Sequence, residues 1–263
     1  MIISFLVSIS ALVPPPLSVH ASNDPVREAV ERAVPLIEKS AATYYAKRDC
    51  FSCHHQALPM MMLNRIGLSG FQLQEDTVSA QAEFTLEYFS ERKERLSRGE
   101  GVPGGPYTAG YALAGLSAAG EQENETTKAL VRYLLKTQNK DGSWHIRTHR
   151  PPLEDSHFTA TALGIKGVHA TGQSVIVKRA ATWLIATQAK STEDHVFKIL
   201  GLHWAGRDQE KITVAKALLK LQGENGGWAQ LPEMKSDAYA TGSALVALIL
   251  CGRRTNCMIH EVL

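Results

Sequence analysis

Three segments of this 263-residue chain close on the same residue, and that repetition constrains the fold more than any other feature. Residues 127–138, 177–188 and 211–222 end on Gln138, Gln188 and Gln222. In the first, Leu130, Val131, Leu134 and Leu135 mark one helical face while Lys128, Arg132 and Lys136 lie opposite. That spacing predicts an amphipathic helix with one wet side. After two of the glutamines the chain turns in the same way, through Asp141-Gly142 to Trp144 and through Asn225-Gly226 to Trp228. Asp-Gly and Asn-Gly stop a helix and permit a tight reversal, and the Trp anchors the turn in apolar surroundings.

Each turn leads into a second kind of helix, rich in small residues and apolar nearly all round: 107–120, 158–172 and 239–252, with a degenerate copy at 195–206. Such a helix must be covered on most sides, and its Gly and Ala positions allow neighbours to approach closely. Segments 26–47 and 74–97 add two amphipathic helices, and 54–66 an earlier small-residue one. The alternation of outer helix, Gly turn and inner helix recurs about five times without strand signals. It predicts an all-α chain of helical hairpins set side by side, an α/α toroid of two concentric rings.

The Gln-x-x-Asp/Asn-Gly-x-Trp turn, with a Leu-Leu or Leu-Ile pair upstream, resembles the repeat of the squalene-hopene cyclase and protein prenyltransferase β-subunit superfamily. Residues 100–252 carry the resemblance well and 24–99 weakly. It implies a barrel whose inner ring surrounds an apolar cavity suited to isoprenoid chains. It also implies an Asp-x-Asp-Asp-Thr-Ala motif before an inner helix, whose middle Asp protonates the substrate. Aligned on Thr159-Ala160, Asp155 takes the first Asp position, but His157 and Phe158 take the acid positions. A histidine, with an ordinary pKa of about 6.5, is too weak an acid to protonate an unactivated alkene. The start of the last inner helix, Ser236-Asp237-Ala238-Tyr239, has no acid pair either, and nothing matches the prenyltransferase zinc set. Cyclase or prenyltransferase activity is therefore not expected, and His157, Asp155 and Asp237 are the candidate catalytic residues for any other chemistry. The loop around them, with Trp144, His145, Arg147, His149, Arg150 and Glu154, reads either as a polar site at one mouth of the barrel or as a solvated loop whose charges pair with one another.

A separate signal lies upstream. Cys50-Phe51-Ser52-Cys53-His54-His55 contains Cys-x-x-Cys-His, the c-type haem attachment pattern, in which two thiols add to the porphyrin vinyl groups and the histidine ligates the iron. Cys50, Cys53 and His54 are thus the candidate haem-binding residues. Two alternatives stand beside haem c: zinc held by Cys50, Cys53, His54 and His55, and a disulfide or structural thiols with no cofactor. Met60, Met61 and Met62 lie only about 9–12 Å along one helix from His54, so they cannot reach the opposite porphyrin face. A sixth ligand would come from His145, His149, His203 or Met234. Cys251 and Cys257 remain without a role.

Residues 1–13 are apolar apart from Ser4, Ser8 and Ser10, three prolines follow, and Val19-His20-Ala21 ends in a small residue. This predicts a signal peptide over 1–21 and a secreted or periplasmic toroid domain over 22–263, with a Cys-bearing hairpin at 24–70 and repeats at 100–252. The basic segment usual at the start of such a peptide is missing. The apolar run is shorter than the ~18 residues that a membrane span requires. The last inner helix ends near Gly252 without a following outer helix, one half-hairpin short of a closed ring. The 28 Lys and Arg against 26 Asp and Glu leave a net charge of +2, which argues against nucleic acid as a partner. The expected function is an exported toroid protein binding an apolar, isoprenoid-like molecule, with haem c implying a redox partner. The alternatives are an isoprenoid-modifying enzyme working through the polar mouth, and a repeat scaffold.

Overall fold

The structure, a computed structural model, describes residues 24–151 and 154–255, with side chains to residue 252. The proposed signal peptide and Cys257 lie outside the described residues. Among the described residues the chain is all-α, with eleven α-helices and one π-helical turn. Among these residues the only extended pairings are isolated bridges between Arg150 and Glu154 and between Ala229 and Ser236. Helix α1 spans Pro25–Lys47, a π-turn spans Cys53–Ala57, and α2 spans Leu58–Leu68. Then follow α3 (Thr77–Ser90), α4 (Lys93–Arg98), α5 (Pro106–Ala118), α6 (Glu125–Thr137), α7 (His157–His169) and α8 (Ser174–Ala186). The chain continues through α9 (Thr192–Trp204), α10 (Asp208–Leu219) and α11 (Ala238–Thr255).

Local chemistry sets these boundaries. Asp24 caps α1 by accepting a hydrogen bond from the Val26 amide, with Pro25 in the first position, where its missing N–H costs nothing. Asn124 with Thr127 and Ser191 with Asp194 form capping boxes that start α6 and α9. The segment 74–97, expected as one helix, is two. The chain tightens at Glu91 and Arg92, where the Arg92 guanidinium takes the Tyr88 carbonyl at 2.6 Å and lies 3.8 Å from the centre of the Tyr88 ring. The following α4 then buries Leu96 and packs on α6.

The small-residue helices form a continuous inner row in which α2, α5, α7, α9 and α11 each lie against the next, while α6, α8 and α10 back α5, α7 and α9. Glycine makes this row possible. A Cβ on Gly110 would stand 2.6 Å from the Leu163 Cβ, and one on Gly115 would stand 2.9 Å from the Ala57 Cα. The two Trp turns are the same device built twice. Trp144 and Trp228 each donate an indole N–H to a helix carbonyl, Leu134 and Leu218 respectively, at 2.8 Å. Their backbone amides donate to Thr161 and Thr241 of the following inner helix at 3.0 Å. Gln138 and Gln222 close the turns by donating to Gly142 and Gly226, and Gln138 also reaches the Ile176 carbonyl of the next outer helix. Helices α5, α7 and α9 are buried almost throughout, so the row has a solid centre.

Candidate functional site

The first two turns of the inner helices α5, α7, α9 and α11 bring Tyr107 and Tyr111, Thr159, Glu193 and Tyr239 together, while Phe158 of α7 turns away onto Trp183 of α8. One carboxylate stands among three aromatic residues. Glu193 is 8% exposed; its Oε1 accepts from the Thr159 hydroxyl at 2.8 Å and its Oε2 from the Tyr239 hydroxyl at 2.9 Å. Burial pushes its pKa up to about 7, against the two hydroxyl donors that favour the charged form, and the neighbouring Asp194 and Asp155 raise it further. Tyr107 and Tyr111 fill the space beside it, their rings edge to face at 4.9 Å, and burial raises both phenols well above the ordinary tyrosine range.

The π-turn adds Cys53 to this end. Its thiol is 6% exposed, interacts with the Tyr107 and Thr108 side chains, and is pushed up to about 12 by burial and then by Glu154. It is a buried thiol rather than a thiolate nucleophile. The rest of the motif points elsewhere. Cys50 is exposed, with its sulfur 3.2 Å from the Tyr44 hydroxyl. His54 is half-buried; burial lowers its pKa, Glu154 acts in the opposite direction and Arg150 adds to the lowering. His55 turns back to α1, its Nδ1 3.1 Å from the Ser40 hydroxyl and its ring stacked on Tyr44. Both thiols are free. Haem c needs both sulfurs at one porphyrin edge with the imidazole beneath, and an inward Cys53 held among Tyr107 and Thr108 does not fit that set. For zinc, no three His, Cys, Asp or Glu side chains converge as a ligand group among the described residues.

The other candidates do not converge on one point. His157 opens α7 and stacks on His145, centroids 4.1 Å apart and planes 11° from parallel; burial and the facing imidazole lower its pKa. Asp155 pairs with His149, and Arg150 with Glu154, whose backbones also bond in both directions. Much of the loop's charge is therefore paired internally. Asp237 serves α11, accepting the Ala240 amide at 2.9 Å and the Gln230 side chain at 3.0 Å. Met60 is fully buried, set against Gly115, and His203 lies at the far end of α9, about 15 Å from Glu193 along the axis.

Glu193, Tyr107, Thr159 and Tyr239 were not among the residues that the sequence singles out. The signal was the register. Taking the degenerate inner helix to begin at His195 hides Glu193, whereas the capping box at Ser191 moves the helix start back and places Glu193 in the second position, level with Tyr107 and Tyr239. No family model matches the chain, and no curated protein is similar to it.

Proposed function

We propose that this is an exported protein of α/α-toroid type that takes an apolar, isoprenoid-like molecule at the end of the row where the inner helices begin, with Glu193 as its proton-exchanging group. The observation that carries this reading is a carboxylate buried in an aromatic layer and held by two hydroxyls from two other helices. A group half-ionised near neutral pH can both give and accept a proton, and buried acids tuned in this way mark functional sites. Glu193 is far too weak an acid to protonate an alkene. It suits proton transfer at an oxygen function, such as a hydroxyl, carbonyl or enol, on an otherwise apolar molecule. The apolar class of ligand rests on the resemblance of the Gln-x-x-Asp/Asn-Gly-x-Trp repeat, and export rests on residues 1–21.

Titrating polyprenyl alcohols and ketones against tyrosine and tryptophan fluorescence tests the reading. Saturable binding should vary between pH 5 and pH 8 in the parent chain and lose that variation in Glu193→Gln, while the far-UV spectrum of the variant stays unchanged. An unaltered pH profile in Glu193→Gln would remove Glu193 from the site.

A further inference from the structure

Helix α1 carries its charge in two different ways along its length. In its first half the cations are balanced, with Arg27 against Glu31 and Arg32 against Glu28 one turn away. In its second half they are not. Lys39 and Lys47, with the capping residue Arg48, border a groove of about 380 Å³ that no carboxylate lines, and among the described residues none of the three has an ion pair. Lys39, Thr43 and Lys47 follow one another at four-residue spacing, with Ser40 and Tyr44 one position on from the first two, so they share one stripe of the helix. His55 closes the groove from the π-turn, stacked on Tyr44 with ring centres 4.6 Å apart.

The helix end explains only part of this charge. A macrodipole places about half a negative charge at the C-terminus and acts over the last turn, which accounts for Lys47 and Arg48 in part. Lys39 lies about 12 Å further back along the axis, beyond that reach. The three cations therefore meet at a groove without a carboxylate, beside the Thr43 hydroxyl, which can add to the coordination of an anion.

We infer that this groove is a binding site for a diphosphate-class anion, whose charge is spread over several oxygens that Lys39, Lys47 and Arg48 share while Thr43 donates a hydrogen bond. The site is distinct from the Glu193 layer and does not depend on it. It faces outward from α1, and its floor is the Tyr44–His55 stack.

The test is calorimetric titration of the full chain with inorganic pyrophosphate, alongside flotation with vesicles of neutral lipid and of neutral lipid doped with phosphatidic acid. One saturable site per chain is expected, weakened by rising salt as phosphate contacts are. The double variant Lys39→Gln, Lys47→Gln should lose about tenfold or more in affinity, and Arg32→Gln, in the balanced half, should not. Circular dichroism of each variant establishes that it is folded. Absence of saturable pyrophosphate binding at millimolar concentration overturns the site, as does binding that the double variant retains. Vesicle binding that needs phosphatidic acid, without any binding of free pyrophosphate, also overturns it and makes the stripe a membrane-facing patch instead.

Discussion

At the residue scale, the chemistry centres on Glu193. Its folded pKa of about 7 stands above the ordinary 4.5, so between those values the folded protein holds a proton that the unfolded chain has released. Its contribution to stability is fully present below pH 4.5 and is lost as pH rises through 7, a change of about 3 kcal/mol across the window. His54 and His157 act oppositely, because their lowered pKa values favour the folded state as pH rises. The clean measurement is therefore a difference. Urea denaturation from pH 4 to 8 should give a parent curve that falls relative to Glu193→Gln, with the variant the more stable above pH 7; parallel curves would show that the pKa of Glu193 does not change on folding. The cysteines make a second pair of contrasting residues. Iodoacetamide at pH 7.5 should alkylate exposed Cys50 in the native protein and leave buried Cys53 unmodified until denaturant is added, as peptide mass mapping would show. A mass gain of one haem on the peptide holding both cysteines, in protein made with haem-attachment machinery, would restore the attachment reading.

At the element scale, the repeat works because two helices share a glycine-lined contact, and the cost of a side chain there can be separated from the intrinsic preference of the helix. Ala is favoured over Gly within a helix by about 1 kcal/mol. At Gly242 of α11, where nothing lies within 4 Å of the added carbon, that preference is realised. At Gly110 of α5 the new carbon meets Leu163, at 2.6 Å from its Cβ and 3.1 Å from its carbonyl carbon, and backbone cannot step aside cheaply. Gly242→Ala should therefore stabilise by ~0.5–1 kcal/mol and Gly110→Ala should destabilise by ~1–3 kcal/mol, read from urea midpoints at constant slope. Equal effects at the two sites would mean that α5 and α7 are not in such close contact. These hairpins were legible in the sequence because their causes are local: a period of 3.6, a glycine at the reversal, a tryptophan six residues after the closing glutamine. The break at Glu91 and Arg92 was not legible, since no glycine or proline marks it and the Arg92–Tyr88 contact belongs to the folded arrangement. The layer holding Glu193 was hidden for a related reason, because Thr159 and Tyr239 come 34 residues before it and 46 after it.

At the scale of the whole molecule, burial is graded along the chain, and the gradient sets which parts open first. Helices α5, α7 and α9 are enclosed on nearly every side, and their amides can exchange only when much of the inner row comes apart. Helix α1 is different: over 23 residues it buries only Val34, Glu38 and Ala41, and Pro35 removes one of its internal hydrogen bonds. Its attachment to the rest rests on a few contacts, among them the Glu38 carboxylate accepting the Gln74 amide at 2.7 Å. Native-state hydrogen exchange should accordingly show α5, α7 and α9 exchanging together with a free energy equal to that of global unfolding, and α1 exchanging several kcal/mol more easily. Because the pyrophosphate groove lies on α1, an anion bound there would have to hold that helix down, and saturating pyrophosphate should slow exchange in α1 while leaving α7 unchanged. Exchange in α1 as slow as in α7 without ligand would mean that the N-terminal helix is part of the same cooperative unit as the inner row.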